Sequence, residues 1–269
     1  MKKLEQILTF MTLFPVLIFI PVHASCSDLV FSQKGNSPIL LTAPHAGRPE
    51  NVIPNLPTRS EKGGKGVETR WDANTDLIAK LTAKILEKEF NLIPYVVIAE
   101  FSRKNIDANR EQEAALDTPL ARPYYQKYHG AIKQSIAEIR KTYGNGILID
   151  IHGQGIKKDV VWRGTRSGLT IKNLIQRHGW DAVTGENGIL GALKSIGYKI
   201  YPEQTDQSEA PYDGGYTLFT YGSHTADGID ALQIEIGSQF RLKESTCEEF
   251  SKSLALAIHK FYSVYLIKK

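Results

Sequence analysis

A Gly-x-Ser-x-Gly sequence occurs nowhere in the 269 residues, which excludes the strained nucleophile elbow of the serine α/β-hydrolases. The glycines of PNLPTRSEKGGKGVETR (54–70) lack the order and the following Ser/Thr of a phosphate-binding P-loop. Only two cysteines are present, Cys26 and Cys247, and neither has a partner at the close spacing of a thiolate zinc site. Charge of one sign is also lacking: 33 Lys and Arg stand against 29 Asp and Glu, and a scattered net +4 argues against a nucleic-acid partner. With no Pro/Ser-rich linker and no internal repeat, a single domain is expected.

The one long apolar run, Ile7 to Val22, follows Lys2 and Lys3 and closes on Val22-His23-Ala24. That pattern reads as a secretory signal peptide over residues 1–24, cleaved after Ala24. The run is short for a membrane span and is broken by Thr9, Thr12, Pro15 and Pro21, so no stable span is expected after cleavage. Residues 25–269 then form the mature domain, with net charge about +3, in a periplasmic or secreted location. Lipid attachment at Cys26 is the alternative, favoured by the small Ala24-Ser25 and opposed by His23, where such signals place an aliphatic residue. An oxidising compartment would let Cys26 pair with Cys247 and tie the new N-terminus to the last helix.

Three short apolar runs end in polar residues: PILLTAPHAG (38–47), GILIDIHGQG (146–155) and ALQIEIGSQFR (231–241). Each reads as a strand followed by a turn, and YVVIA (95–99) as another strand. Between them lie helical spacings. Leu77, Leu81, Ile85 and Phe90 recur at about one turn in DANTDLIAKLTAKILEKEF. A second helix opens at Pro123 and runs to a glycine stop at Gly144. A last one starts near Ser245, with Glu248 completing a capping box, and continues to the C-terminus. A helix near Gly188 to Ile196, a strand near Tyr198, and a polar loop ending in Gly214-Gly215 fill the remaining stretch, the loop being a candidate cavity wall. Alternating strands and helices give an α/β layer structure with helices on both faces of a largely parallel or mixed sheet. Ligands in such sheets gather beyond the carboxyl ends of strands, where His45, His152 and Glu235 can converge.

Catalytic zinc takes three N/O ligands and keeps a fourth position for water, whose pKa it lowers toward neutrality. His45, His152 and one carboxylate meet that demand, and the glycines after His152 would let a substrate approach. Asp150 shares a strand face with His152 by period two, and either orients its ring or is a surface carboxylate. Glu235, between Ile234 and Ile236 on an apolar strand, is either a general base near a metal-bound water or the partner of a buried arginine. Arg103, Asn109 and Arg110 either hold a substrate carboxylate or form a solvated loop salt-bridged to Asp107. His224, between the glycine-rich loop and the Glu235 strand, is a candidate substrate contact. His129, His178 and His259 lie in or beside helices and read as packing or surface residues.

PHAG, SRKNIDANR, LIDIHGQG, GGYTLFTYG and ALQIEIG, in this order over roughly residues 38–241, resemble the N-formylglutamate amidohydrolase family, itself similar in fold to the zinc carboxypeptidases. The resemblance implies a three-layer α/β sandwich with a mixed central sheet, zinc carboxypeptidase-like (phosphorylase/hydrolase-like). It also implies a zinc-dependent hydrolase of an amide bond next to a free carboxylate. His45 and His152 match its zinc ligands and Glu235 its general acid/base. Asn109-Arg110 matches the pair that clamps a substrate carboxylate, and Arg103 the group that polarises the scissile carbonyl. Zinc carboxypeptidases place a glutamate three residues after the first histidine, where this chain has Arg48. The segment WDANTD matches the family instead, which makes Asp72 the third ligand, with Asp76 and Glu50 as alternatives.

Formylglutamate hydrolysis belongs to cytoplasmic histidine breakdown, so export favours a related N-acyl amino acid or a peptide C-terminus, including a cell-wall peptide cut by a metallocarboxypeptidase. A metal-free periplasmic binding protein for carboxylated ligands, with Arg103 and Arg110 as the clamp, is the alternative from another class. A metallophosphatase shares the His/Asp ligand types, but only two arginines suggest a phosphate site.

Overall fold

A computed structural model describes residues 29–60 and 67–267; the expected signal peptide and Cys26 lie outside them. Seven strands form one sheet: β1 (Val30–Gln33), β2 (Ile39–Ala43), β3 (Tyr95–Ala99), β4 (Ile147–Gln154), β5 (Val160–Gly164), β6 (Lys199–Tyr201) and β7 (Asp230–Gly237). Their order is β1-β3-β2-β4-β7-β5-β6. The four central strands are parallel, β1 is antiparallel to β3, and β5 is antiparallel to β7. The mixed sheet expected from the alternating elements is therefore present.

Each face of the sheet carries its own apolar core, because successive side chains on a strand point to opposite sides. Leu41, Ile149 and Ile151 pack under the helices Thr75–Phe90 and Glu244–Phe261, whereas Leu40 and Leu148 pack under the helix Arg122–Tyr143. Coverage of both faces explains why β2, β3 and β7 are buried along their whole length instead of alternating. The result is a three-layer sandwich.

Two helices differ in detail from the sequence pattern. The buried stripe of Thr75–Phe90 is Ile78, Ala79, Thr82, Ala83 and Leu86, and Leu77, Leu81 and Ile85 are only half-buried beside it. Small residues win that face because the C-terminal helix lies close against it, with Ser251 Oγ donating to Ile78 O at 3.4 Å. That C-terminal helix starts at Glu244 behind Lys243, with no side-chain cap, so Ser245 and Glu248 do not form a capping box. Cys247 is a buried free thiol whose S–H donates to Arg241 O at 3.2 Å, and the expected disulfide with Cys26 is not supported. Among the described residues no helix is long and apolar enough to cross a membrane.

Candidate metal centre and substrate cavity

The parallel strands β2, β4 and β7 bring three sequence-distant segments to one end of the sheet. His45 follows β2, and Asp72 N donates to His45 O at 2.9 Å, which joins that turn to the entrance of the helix Thr75–Phe90. His152 lies on β4 directly opposite Glu235 on β7.

The two imidazoles are held alike. His45 Nε2 lies 2.7 Å from Asp107 Oδ1, and His152 Nε2 lies 2.9 Å from Asp150 Oδ2. Their Nδ1 atoms both face Asp72 Oδ2, at 3.4 Å and 3.2 Å. The rings meet edge to face, with centroids 4.9 Å apart. Carboxylates on the Nε2 side fix the Nε2–H tautomer and turn the Nδ1 lone pairs inward, the arrangement of metal-binding histidines.

The donor set fits zinc. In a tetrahedral site with bonds of about 2.0–2.1 Å the ligand atoms stand about 3.3–3.4 Å apart, close to the two Nδ1–Oδ2 separations here. His45, Asp72 and His152 offer ligand atoms that all lie within 4.8 Å of one another. Asp76 and Glu50 are not in this group; Glu50 is exposed and Asp76 is in the first helical turn.

The charge balance points the same way. Asp72, Asp107, Asp150 and Glu235 surround two imidazoles, and Arg103 pairs with Asp107 among them. Burial works against ionising Asp72, yet when the rings are protonated the bonds from His152 and His45 hold its carboxyl far below the usual range. Burial likewise opposes ionisation of Asp107, and the charges of His45 and Arg103 overcome it. Burial lowers His152, but Asp150, Asp72 and Glu235 together raise it well above an ordinary histidine. A protonated ring or a bound cation beside Asp72 and Asp150 would add to the positive charge that Arg103 and Arg59 bring to Asp107. Glu235 behaves oppositely: burial lifts it to about 8, His152 opposes that rise, and Asp72 and Asp150 add to it.

Around these groups opens a cavity of about 730 Å³, lined by His45, Asp72, His152 and Glu235 together with Arg103, Asn109 and Arg110. The loop running to Gly214-Gly215 forms part of its wall, as the sequence suggested. Asn109 Oδ1 accepts from Thr217 N at 2.9 Å. Its Nδ2 lies 3.4 Å from His152 Nε2, which already carries a proton toward Asp150, so the amide N–H groups remain available to an acceptor in the cavity. Arg110 is exposed at the rim, and its Nη1 donates to Asn109 O at 2.9 Å. Arg103 donates through Nε and Nη2 to Asp107 and through Nη1 to Arg70 O, which leaves two N–H bonds unassigned.

Several placements depart from expectation. Asp107 is no solvated loop partner; it is 1 % exposed and holds His45 and Arg103 together. His224 does not line the cavity and packs against Phe219, with ring centroids 5.5 Å apart. Both glycines after His152 line the cavity, but a Cβ on Gly153 would sit 2.3 Å from Arg241 Nε, so that glycine seats the arginine, whereas Gly155 has open space beside it. The Gly153 N–H donates to Asp72 Oδ2 at 3.1 Å. Arg241, Arg166 and Gln233 line the cavity without having been singled out from sequence. Gln233 alone carried a usable signal, its period-two spacing from Glu235.

Strand-end histidines and carboxylates around one cavity of a three-layer sandwich define an α/β protein with a buried His-Asp-His group that could hold a metal ion. The same fold is found in N-formylglutamate amidohydrolase from Ralstonia eutropha, with a TM-score of 0.62 and 16% identity over 88% of this chain and 97% of that one. It is also found in a gene product of Agrobacterium tumefaciens, with a TM-score of 0.56 and 18% identity over 87% of this chain and 95% of that one. At such identities the likeness is one of fold, and it is the fold the motif resemblance implied. No family model matches the chain, and no curated protein matches its sequence.

Proposed function

We propose that this chain is an exported zinc-dependent hydrolase of an amide bond adjacent to a free carboxylate, acting on an N-acyl amino acid or a peptide C-terminus. The observation that carries the proposal is the convergence of His45, Asp72 and His152 in the cavity that also holds Glu235 and Asn109-Arg110. Zinc held by those three residues would supply Lewis acidity and a water of lowered pKa. Export rests on the pattern of residues 1–24.

The chain's own groups divide the remaining work. Asn109 and Arg110 bind the substrate carboxylate and set the distance to the scissile bond. Glu235 is buried and its carboxyl is lifted to about 8; a cation held beside it would favour the ionised form, in which it takes a proton from the attacking water and returns it to the leaving amine. The unassigned N–H groups of Arg103 are available to the carbonyl oxygen as it gains negative charge.

Metal content of protein purified without chelator, combined with a screen of N-acyl amino acids and short peptides, tests this function. About one equivalent of zinc and amine release that stops on chelation are expected. Absence of metal with carboxylate binding intact would replace the enzyme by a binding protein.

A further inference from the structure

Gln233 stands two residues before Glu235 on β7, opposite Asp150 on β4 as Glu235 is opposite His152. Period two therefore puts all four on one sheet face. Gln233 is 3 % exposed and lines the cavity. Its amide orientation is set by its neighbours. Gly215 N can only donate, so the atom 2.9 Å away is Oε1, and Nε2 faces Glu235 and donates to Oε1 at 3.1 Å.

An N–H aimed at Glu235 Oε1 favours the proton on the other oxygen, because a protonated Oε1 would be the weaker acceptor. Oε1 is also the oxygen 3.9 Å from His152 Nδ1. Oε2 makes no hydrogen bond among the described residues and is not sealed from the cavity. The far end of the same amide grips the cavity wall. Gly215 lies so close to Asn109 that a Cβ would stand 2.0 Å from Nδ2, and Thr217 N donates to Asn109 Oδ1 at 2.9 Å.

We propose that Gln233 is a positioning residue that makes Oε2 the proton-carrying oxygen of Glu235 and keeps it in register with the wall seating Asn109. The inference rests on Glu235 as the proton-transfer group. The water proton goes to Oε2 and from Oε2 to the leaving nitrogen, while the Gln233 amide is unchanged throughout.

Two variants separate the ends of the amide. Gln233→Met keeps length and removes both bonds; Gln233→Glu keeps an acceptor for Gly215 N but removes the donor to Glu235. With N-formyl-L-glutamate as probe and zinc loaded, kcat falls about tenfold to a hundredfold in both, the scale of a misplaced catalytic group, while KM stays within about threefold. Zinc content is unchanged in both. A crystal structure of Gln233→Met shows the Glu235 carboxylate displaced and the zinc-ligand side chains unmoved, a readout that holds whether or not the probe is turned over. Full kcat in both variants, loss of zinc, or a Glu235 carboxylate that stays in place overturns the assignment. Chelator-resistant turnover, or full activity of Glu235→Gln, instead overturns the proposed function.

Discussion

His45 Nε2 and Asp107 Oδ1 are 2.7 Å apart, and the other oxygen of Asp107 takes both Nε and Nη2 of Arg103. One buried carboxylate thus orients an imidazole and an arginine at once. Asp107→Asn replaces an acceptor by a donor against one of them. Zinc affinity should fall about tenfold to a hundredfold, the range for partners that orient ligand histidines. Competition against a chromophoric chelator measures it, and an affinity within twofold of wild type would show that His45 keeps its orientation without Asp107.

Glu235 is not one of the grouped ligand residues, and its Oε1 stands 3.9 Å from His152 Nδ1, beyond hydrogen-bonding distance. Glu235→Gln should therefore leave zinc content intact and lower turnover by about 10²–10⁴-fold, the contribution of a general base. Near-normal turnover in the substituted protein would assign proton transfer elsewhere.

The strands carrying the site were legible because their runs are apolar and end abruptly in His or Glu. Asp72 lay in no such run, and only its match to a family segment singled it out; its backbone bond to His45 then explains why it arrives at the metal centre. Pattern could not distinguish Asp107 from a solvated loop residue, because burial of a loop is a tertiary outcome. Glu209 was hidden for the same reason. It sits in a polar stretch, yet it is 1 % exposed and bonds Arg163 Nε, Thr165 Oγ1 and the N–H groups of Thr165 and Ser167. Those bonds pin the loop forming part of the cavity wall to the end of β5. A glycine in the sequence does not say what fills the space of its missing side chain: Arg241 does at Gly153, and nothing does at Gly155.

His129 links stability to pH. It is buried, with Nε2 at 3.1 Å from Ala108 O and Nδ1 at 2.8 Å from Tyr221 Oη. The carbonyl can only accept, so Nε2 carries the proton and Nδ1 accepts from the tyrosine. Burial drops the histidine from 6.5 to about 4. The unfolded chain then binds the extra proton first, so this stability is complete above about pH 6.5 and is lost as pH falls toward about 4, on the order of 3 kcal/mol in all. Urea unfolding of wild type and His129→Gln at about pH 7 and about pH 4 tests the linkage. The substitution should cost clearly less at the acid end; an equal cost at both would remove His129 from the account.

Gly215 packs against Asn109, one of the two residues proposed to bind the substrate carboxylate. Its φ of −89° is open to any residue, so Gly215→Ala carries no backbone strain and acts through its methyl group alone. That carbon would stand 2.0 Å from Asn109 Nδ2 and 2.5 Å from its Oδ1. The asparagine must swing away, which breaks its bond from Thr217 N and withdraws its amide from the cavity. Losing one hydrogen bond to a charged substrate group weakens binding by about 1.5–3 kcal/mol, roughly tenfold to a hundredfold in KM. Zinc content should stay at its wild-type value, since none of the three ligands touches Gly215. Steady-state kinetics on an N-acyl amino acid with parallel metal analysis separates the effects. A raised KM with zinc retained places Asn109 on the substrate, whereas an unchanged KM would leave Arg110 to bind the carboxylate alone.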